Sequence, residues 1–520
     1  MWSKRKLAEG VDPQLDRLAD GSLVRRRDAA RRYGRRDPSP LGHRDRRTEA
    51  ERDRGRLGYS AYLRRLAGVT QVVSPELASA QMHSRSSHTH KVAMIAREIA
   101  DHIARNADDN DQWRGVIAAA GGLDIAACEA AGLAHDIGHP PFGHAGEDAL
   151  DNYLVNHGVA DGFEGNAQTF RTVTRLDRSK GTTTYGLNLT NVTLAAILKY
   201  PYAKRAPYSA DRNRKFGAYL DDVDQLRHVR ASVLGLAKKE EDHCRQTLEA
   251  SVMDLADDIA YAIHDLEDFL AAGLIDVGLV LSDINAALED ASIYPNDRDE
   301  ANFAKANFAK TPSRFSQPLV FVEASRKHRA EYAPHYNDAD YAAALHDVSS
   351  FLGQLGDPDL QDYAMNLRLF LKNFVSKFFD AIDLSASPPY EGGPSVYLTS
   401  EAWHQMQVLK SITRHYLVSR PRMGSMQRAQ TRSIELLMDG LADWICTAPK
   451  DHTLPPTLLT MLSRNNTSLP SSRQQTSALT PSHYRGLSDY VCTMSDSEAL
   501  MRSQWLAGTE VPGSFRLALS

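Results

Sequence analysis

From Val92 the apolar residues Val92, Ile95, Ala96, Ile99 and Ile103 recur at intervals of three and four, the period of one helix face, and predict a helix over 88–106. The same pattern predicts helices near 124–135, 144–157, 164–177, 188–199, 241–272, 276–290, 340–353, 360–382, 399–418, 426–446 and 485–506. Nowhere does the alternation of a half-buried strand persist. Stretches rich in Gly, Pro and Ser at 178–187, 204–217, 293–318, 384–397 and 464–482 read as loops, and there is no internal repeat. The expected fold is all-α, a bundle or array of helices.

Helix phase also sorts the polar residues. His88 lies one turn before Val92 on the apolar stripe and points inward, whereas His90 shares the outer face with Met94, Arg97 and Asp101. Ala126, Ala127, Ala130, Leu133 and Ala134 form a small-residue helix able to approach its neighbours closely, and Gly138 with Pro140-Pro141 stops it at His135-Asp136. Over 241–272, Asp254, Asp257, Tyr261 and Asp265 share one quadrant opposite Val252, Leu255, Ile259, Ile263, Leu266 and Leu270. That acidic quadrant reads as a solvated face unless another element covers it.

Composition narrows the setting. At 520 residues the chain is long enough for one large core or two to three smaller ones. Cys128, Cys244, Cys446 and Cys492 are far apart with no CxxC pair, which argues against a zinc ribbon or a disulfide framework. No apolar run approaches the roughly 20 residues that span a bilayer, and the charged N-terminus lacks a signal core. The expectation is a soluble, cytoplasmic protein without membrane contact. Formal charge is −5, but residues 1–56 hold 17 Lys/Arg against 10 Asp/Glu, leaving +7 there and −12 elsewhere. The runs Arg25-Arg26-Arg27, Arg31-Arg32 and Arg35-Arg36 suit nucleic acid, phosphates or an acidic neighbouring subunit; a solvated, partly flexible arm accounts for them equally well.

The densest chemistry is at 132–147, where His135, Asp136, His139, His144 and Glu147 surround Gly and Pro turn residues. Two other His-Asp pairs, at 264–265 and 346–347, do not share this setting, and the mid-helix side chains of His264-Asp265 diverge. A buried carboxylate is costly unless paired or metal-bound, so His135-Asp136 is either a structural ion pair or part of a metal centre, and the neighbouring histidines favour metal. His144 and Glu147, three apart at a helix start, share a surface. A carboxylate on the imidazole fixes its tautomer and raises its basicity, as acid–base catalysis requires. Glu147 at the positive end of the helix dipole is an equally good account of the pair.

Taken in order, Arg54, Arg64 through Val72, Arg85-Ser86-Ser87-His88-Thr89, His135 through His144 with Glu147, Phe163 through Thr169, Gly186 through Thr190, Leu198-Lys199-Tyr200-Pro201, Lys215-Phe216-Gly217 and Ala256 through Tyr261 form a pattern. It resembles the HD-domain deoxynucleoside triphosphate triphosphohydrolases, the bacterial dGTPase-like family, over about 50–275 and weakly beyond. His90-Lys91 and Val69 depart from residues common in that family. The resemblance implies an HD-domain helical bundle with an additional helical C-terminal region: a basic arm over 1–50, a catalytic core over 51–290 and helices packing on it over 291–520.

It further implies His88, His135, Asp136 and Asp257 as ligands of one divalent ion, magnesium, manganese or another transition metal. His144 and Glu147 fall on the catalytic pair. Gln71, Arg85, His139, Lys199, Lys215, Tyr261 and Asp265 fall on substrate-binding positions: lysines for the triphosphate, Tyr261 and Asp265 for the deoxyribose, His139 for phosphate or for support of the ligands. The implied reaction is metal-dependent hydrolysis of a dNTP, dGTP foremost, to deoxynucleoside and inorganic triphosphate, by a homo-oligomer that is a dimer, tetramer or hexamer. Two alternatives stand beside it. One is an HD phosphohydrolase acting on another nucleotide; the other is a regulatory protein that binds single-stranded nucleic acid or nucleotides through the arm.

Overall fold

The computed structural model describes residues 15–37, 45–71, 84–178, 185–204, 215–235, 245–289, 319–332, 335–354, 360–387, 389–390, 393–418, 421–447, 453–467, 469 and 479–509. The predicted loop at 293–318 and Cys244 lie outside them. Helices dominate, and the fold is all-α. The chain divides into two compact units, Met1–Ala256 with Gly424–Ser520 and Asp257–Met423, whereas the sequence reading sets its later boundary at 290.

In the first unit, three two-residue strands, β1 (Asp16–Arg17), β2 (Leu23–Val24) and β3 (Gly122–Leu123), pair antiparallel in that order. They are too short to leave an alternating pattern in the sequence. Helices α1 (Arg26–Arg32) and α2 (Glu49–Gly58) follow β2. Both are charge-rich and short on apolar repeats, so periodicity does not predict them. Two arginines of this region turn inward: Arg32 and Glu249 pair with both side chains 1 % exposed, and Arg35 binds Glu49 and Asp53, whereas Arg26, Arg27, Arg31 and Arg36 are exposed. Asp28 takes Arg25 and Arg31.

The centre of this unit is α3 (Arg85–Asn106) against α4 (Ile125–Ala134). Val92, Ile95, Ala96, Ile99 and Ile103 are buried as the stripe predicts, each Val or Ile side chain contributing about 1.5–3 kcal/mol. The small residues of α4 allow the close approach: a Cβ on Gly132 would sit 2.5 Å from the Ala93 Cα. Next come α5 (Gly143–Asn156), α6 (Gly165–Arg171), which ends in one π turn, Thr172–Leu176, and α7 (Leu248–Ala260). Arg171, fully buried, ties α6 to Asp222 and to Asp489 on α8 (Pro481–Val491).

The sequence pattern gives one helix over 485–506. The structure has two, α8 and α9 (Asp496–Leu506), because Ser495 caps a new helix by accepting from Glu498 N. No Gly or Pro marks that break.

The second unit holds the helices Val277–Glu289, Leu319–Tyr332, Asp338–Gln354, Leu360–Asp380 and Ser400–Thr413, with an antiparallel pair of strands, Ile382–Leu384 and Val396–Leu398. Tyr341, Leu345, Val348, Phe321 and Val408 are in its core. Among the described residues no helix is long and apolar enough to cross a membrane, and Cys128, Cys446 and Cys492 are free thiols.

Candidate metal centre and catalytic pair

Ser84 opens α3 by accepting from Ser87 N, which starts the helix one turn ahead of His88. His88 is 2 % exposed and His90 is exposed, the inward and outward choice that helix phase predicts. At the other side α4 ends in His135, whose Nδ1 lies 2.7 Å from the Gly132 carbonyl. Nδ1–H therefore donates there and Nε2 carries the lone pair, the tautomer a metal ligand needs. His88, His135 and Asp257 each offer one ligand atom, and these lie within 4.8 Å of one another. Asp257 is the first residue past the division between the units, yet it rides in the last turn of a continuous helix, Leu248–Ala260, which enters from the first unit. Two imidazoles and a carboxylate are a donor set suited to a divalent transition ion.

Asp136 stands beside this group. Its carboxylate is 3.4 Å from His135 Nε2, 2.6 Å from Arg85 Nη1 and 3.0 Å from His139 Nδ1. Burial opposes its ionisation, but its charged surroundings, the Arg85 guanidinium foremost, outweigh burial and hold the carboxyl well below the usual range. His139 is buried and faces Arg85, and its pKa falls to about 4, so it is neutral at pH 7.

The loop from 137 to 143 is tightly fitted. Gly138 admits no side chain, since a Cβ would lie 2.1 Å from Thr169 N. Thr169 Oγ1 accepts from Gly138 N and donates to the His135 carbonyl. Phe142 adopts a left-handed φ of 66° and caps α5, a conformation that costs a non-glycine residue about 1–2 kcal/mol.

The first turn of α5 presents the predicted pair. His144 Nδ1 is 3.0 Å from Glu147 Oε2, and the imidazole is 74 % exposed while Glu147 is 9 % exposed. Glu147 Oε1 accepts from Gly165 N at 2.9 Å and from Lys215 Nζ at 3.0 Å. Burial opposes its ionisation, yet His144, Lys215 and His139 hold Glu147 well below the usual carboxylate range. Lys215 also reaches Glu164 Oε1 at 3.2 Å. Burial raises the Glu164 pKa to about 7 against the pull of Lys215. One lysine thus serves two buried carboxylates.

The other predicted residues are placed as follows. Arg85 is buried on Asp136. Lys199 pairs with Asp254 at 2.7 Å, so that member of the acidic quadrant is an ion-pair partner. Gln71 is half-buried, and its Oε1 has no hydrogen-bond partner among the described residues. Tyr261 is half-buried and Asp265 is 2 % exposed. They sit at the two ends of a π turn, Tyr261–Asp265, which shifts Asp265 away from the regular helical phase that groups it with Asp257.

The HD domain family model matches residues 85–262, the span that includes both histidines, Asp136, Asp257 and the His144–Glu147 pair. The chain carries an HD domain. Over 274 residues it is 39% identical to a deoxyguanosinetriphosphate triphosphohydrolase-like protein of Corynebacterium efficiens, covering 52% of this chain and 57% of the relative. Proteins of the same name from Streptomyces coelicolor and Aliivibrio fischeri are 40% and 33% identical over 270 and 264 residues, or 50% and 45% of this chain and 57% and 56% of theirs. The chain spans about half the length of the curated relatives it matches.

The HD domain has contacts that sequence reasoning did not assign. Arg65 Nη2 donates to the carbonyls of Ile137 and His139 at 3.2 and 2.5 Å, and its Nη1 donates to Met494 O at 2.8 Å. Glu164 joins the His144–Glu147 pair through Lys215. Both residues lie within the motif stretches, but neither one's spacing carries a ligand pattern.

Proposed function

We propose that this protein is a metal-dependent nucleotide phosphohydrolase that cleaves a dNTP, with dGTP the leading substrate, to deoxynucleoside and inorganic triphosphate. The observation that carries the reading is the meeting of His88, His135 and Asp257 from three distant parts of the sequence. The names of relatives at 39–40% identity support dGTP in particular. We assign the ion to His88, His135, Asp136 and Asp257. Such an ion supplies Lewis acidity toward phosphate oxygens and makes water a competent nucleophile near neutral pH.

The chain's own groups do the rest. Glu147, ionised, holds the Nδ1–H of His144 and leaves the exposed Nε2 to pass a proton to the departing 5′-oxygen. Lys199 and Lys215 offset triphosphate charge, each sharing its ammonium with a carboxylate already in place. Arg85 and His139 hold Asp136 and contribute to phosphate binding. Gln71, Tyr261 and Asp265 are assigned to the sugar, where a deoxy preference arises if Tyr261 and Gln71 fill the space of a 2′-hydroxyl.

Assay of all four dNTPs, singly and in pairs with Mg²⁺ or Mn²⁺, tests the reading, with products separated by chromatography. We expect inorganic triphosphate from dGTP and its loss in Asp257→Ala. Pyrophosphate or monophosphate as the product transfers the protein to another class of HD phosphohydrolase. Undiminished activity in Asp257→Ala removes the ligand assignment. A homo-oligomer, by light scattering, is the assembly we propose.

A further inference from the structure

We propose that Asp496, the first residue of α9, is a positioning residue for the loop that carries the catalytic groups, an inference that rests on the phosphohydrolase reading. Asp496 is 8 % exposed, and both its carboxylate oxygens accept hydrogen bonds. Oδ1 accepts from Phe142 N at 2.7 Å, and Oδ2 accepts from Thr70 N at 2.9 Å and from Thr70 Oγ1. One side chain thereby fixes two points. Phe142 is the left-handed residue that caps α5, two residues before His144 and five before Glu147. Thr70 adjoins Gln71, and its carbonyl accepts from Arg85 Nε at 3.3 Å.

The same turn grips the loop a second time. Arg65 spans from Met494 O to the carbonyls of Ile137 and His139. Ser495 sits so close to the backbone that a Cβ on Gly68 would lie 2.9 Å from the Ser495 Cβ. Residues 494–496 therefore meet the loop's carbonyls through Arg65 at 137 and 139 and its N–H through Asp496 at 142. They lie more than 230 residues beyond the span of the HD family model. A carboxylate suits the task because it accepts at both oxygens. Each of its hydrogen-bond partners among the described residues is a donor.

The ring of donors makes Asn an informative replacement. Asp496→Asn keeps size and shape but replaces one acceptor by an NH₂ donor, which must face either Phe142 N–H or the Thr70 donors. If Asp496 only filled space at the start of α9, Asn would rescue it. In full-length protein we expect Asp496→Asn and Asp496→Ala alike to lower kcat on dGTP by about tenfold or more with KM changed less than about threefold. We also expect faster hydrogen exchange in the metal-free variants, confined to the amides of 137–147, with the melting midpoint of the Asn variant near wild type. Wild-type exchange over 137–147 in Asp496→Asn overturns the proposal, and so does wild-type kcat in an active preparation. Absence of triphosphate release by the wild-type protein itself counts against the proposed function instead. The exchange arm then still decides whether Asp496 holds the loop.

Discussion

At the scale of single residues, the proposed catalytic pair is defined by what surrounds each partner. His144 is exposed on one side of the pair and Glu147 is buried on the other, where Gly165 N and Lys215 help to keep it ionised. Glu147→Gln removes the charge while keeping the shape. We expect kcat to fall on the order of 10²-fold, with metal affinity by calorimetry unchanged. A loss of metal binding in that variant would move Glu147 out of the proton-transfer role and into the ligand set. His88 was readable at this scale, because one turn of phase separates it from the outward His90. The Lys215 bridge between Glu147 and Glu164 was not, since periodicity orders residues along one helix and says nothing of contacts across 50 or more positions.

At the scale of elements, α4 is what delivers His135 and Asp136, and Asp124 caps it. Its Oδ1 accepts from Ala127 N and its Oδ2 from the Tyr33 hydroxyl, both at 2.7 Å. Complete burial raises its pKa to about 7, against the hydrogen bonds from Tyr33 and Ala127, with Asp20 and Glu249 adding to the rise. A carboxyl whose folded pKa is raised binds its proton more tightly in the native state. Its contribution to stability is therefore whole below about pH 4 and is lost as pH rises through about 7. Asp124→Asn should flatten the stability curve between those limits by roughly 1–3 kcal/mol, measured by urea unfolding at several pH values. An unchanged slope would show that Asp124 does not titrate in this window.

Element ends were the least legible part of the sequence. The α8–α9 break depends on Ser495 capping a helix amid residues that favour helix on either side. The π turn at Tyr261–Asp265 leaves the apolar repeat around it intact.

At the scale of the whole molecule, the basic arm changes character on folding. Arg32 meets Glu249 across 217 positions, and Glu249 also accepts from Asp124 N. Removing one member of a buried pair strands the other's charge. Arg32→Ala is expected to cost about 3–5 kcal/mol, read as a lower melting midpoint. A shift within error would mean that the pair is solvated in solution. The inward pairing of Arg32 and Arg35 also leaves fewer of the arm's cations for single-stranded nucleic acid.

The sequence by itself determined the helical class, the inward face of α3, the close packing of α4 and the order of the motifs, because each follows from spacing within one segment. Only the tertiary structure decided that His88, His135 and Asp257 meet, that Arg32 and Arg35 are spent on Glu249, Glu49 and Asp53, and that Asp496 reaches the loop at 142. Those contacts join residues tens to hundreds of positions apart, and local spacing carries no information about which distant donor will face which acceptor.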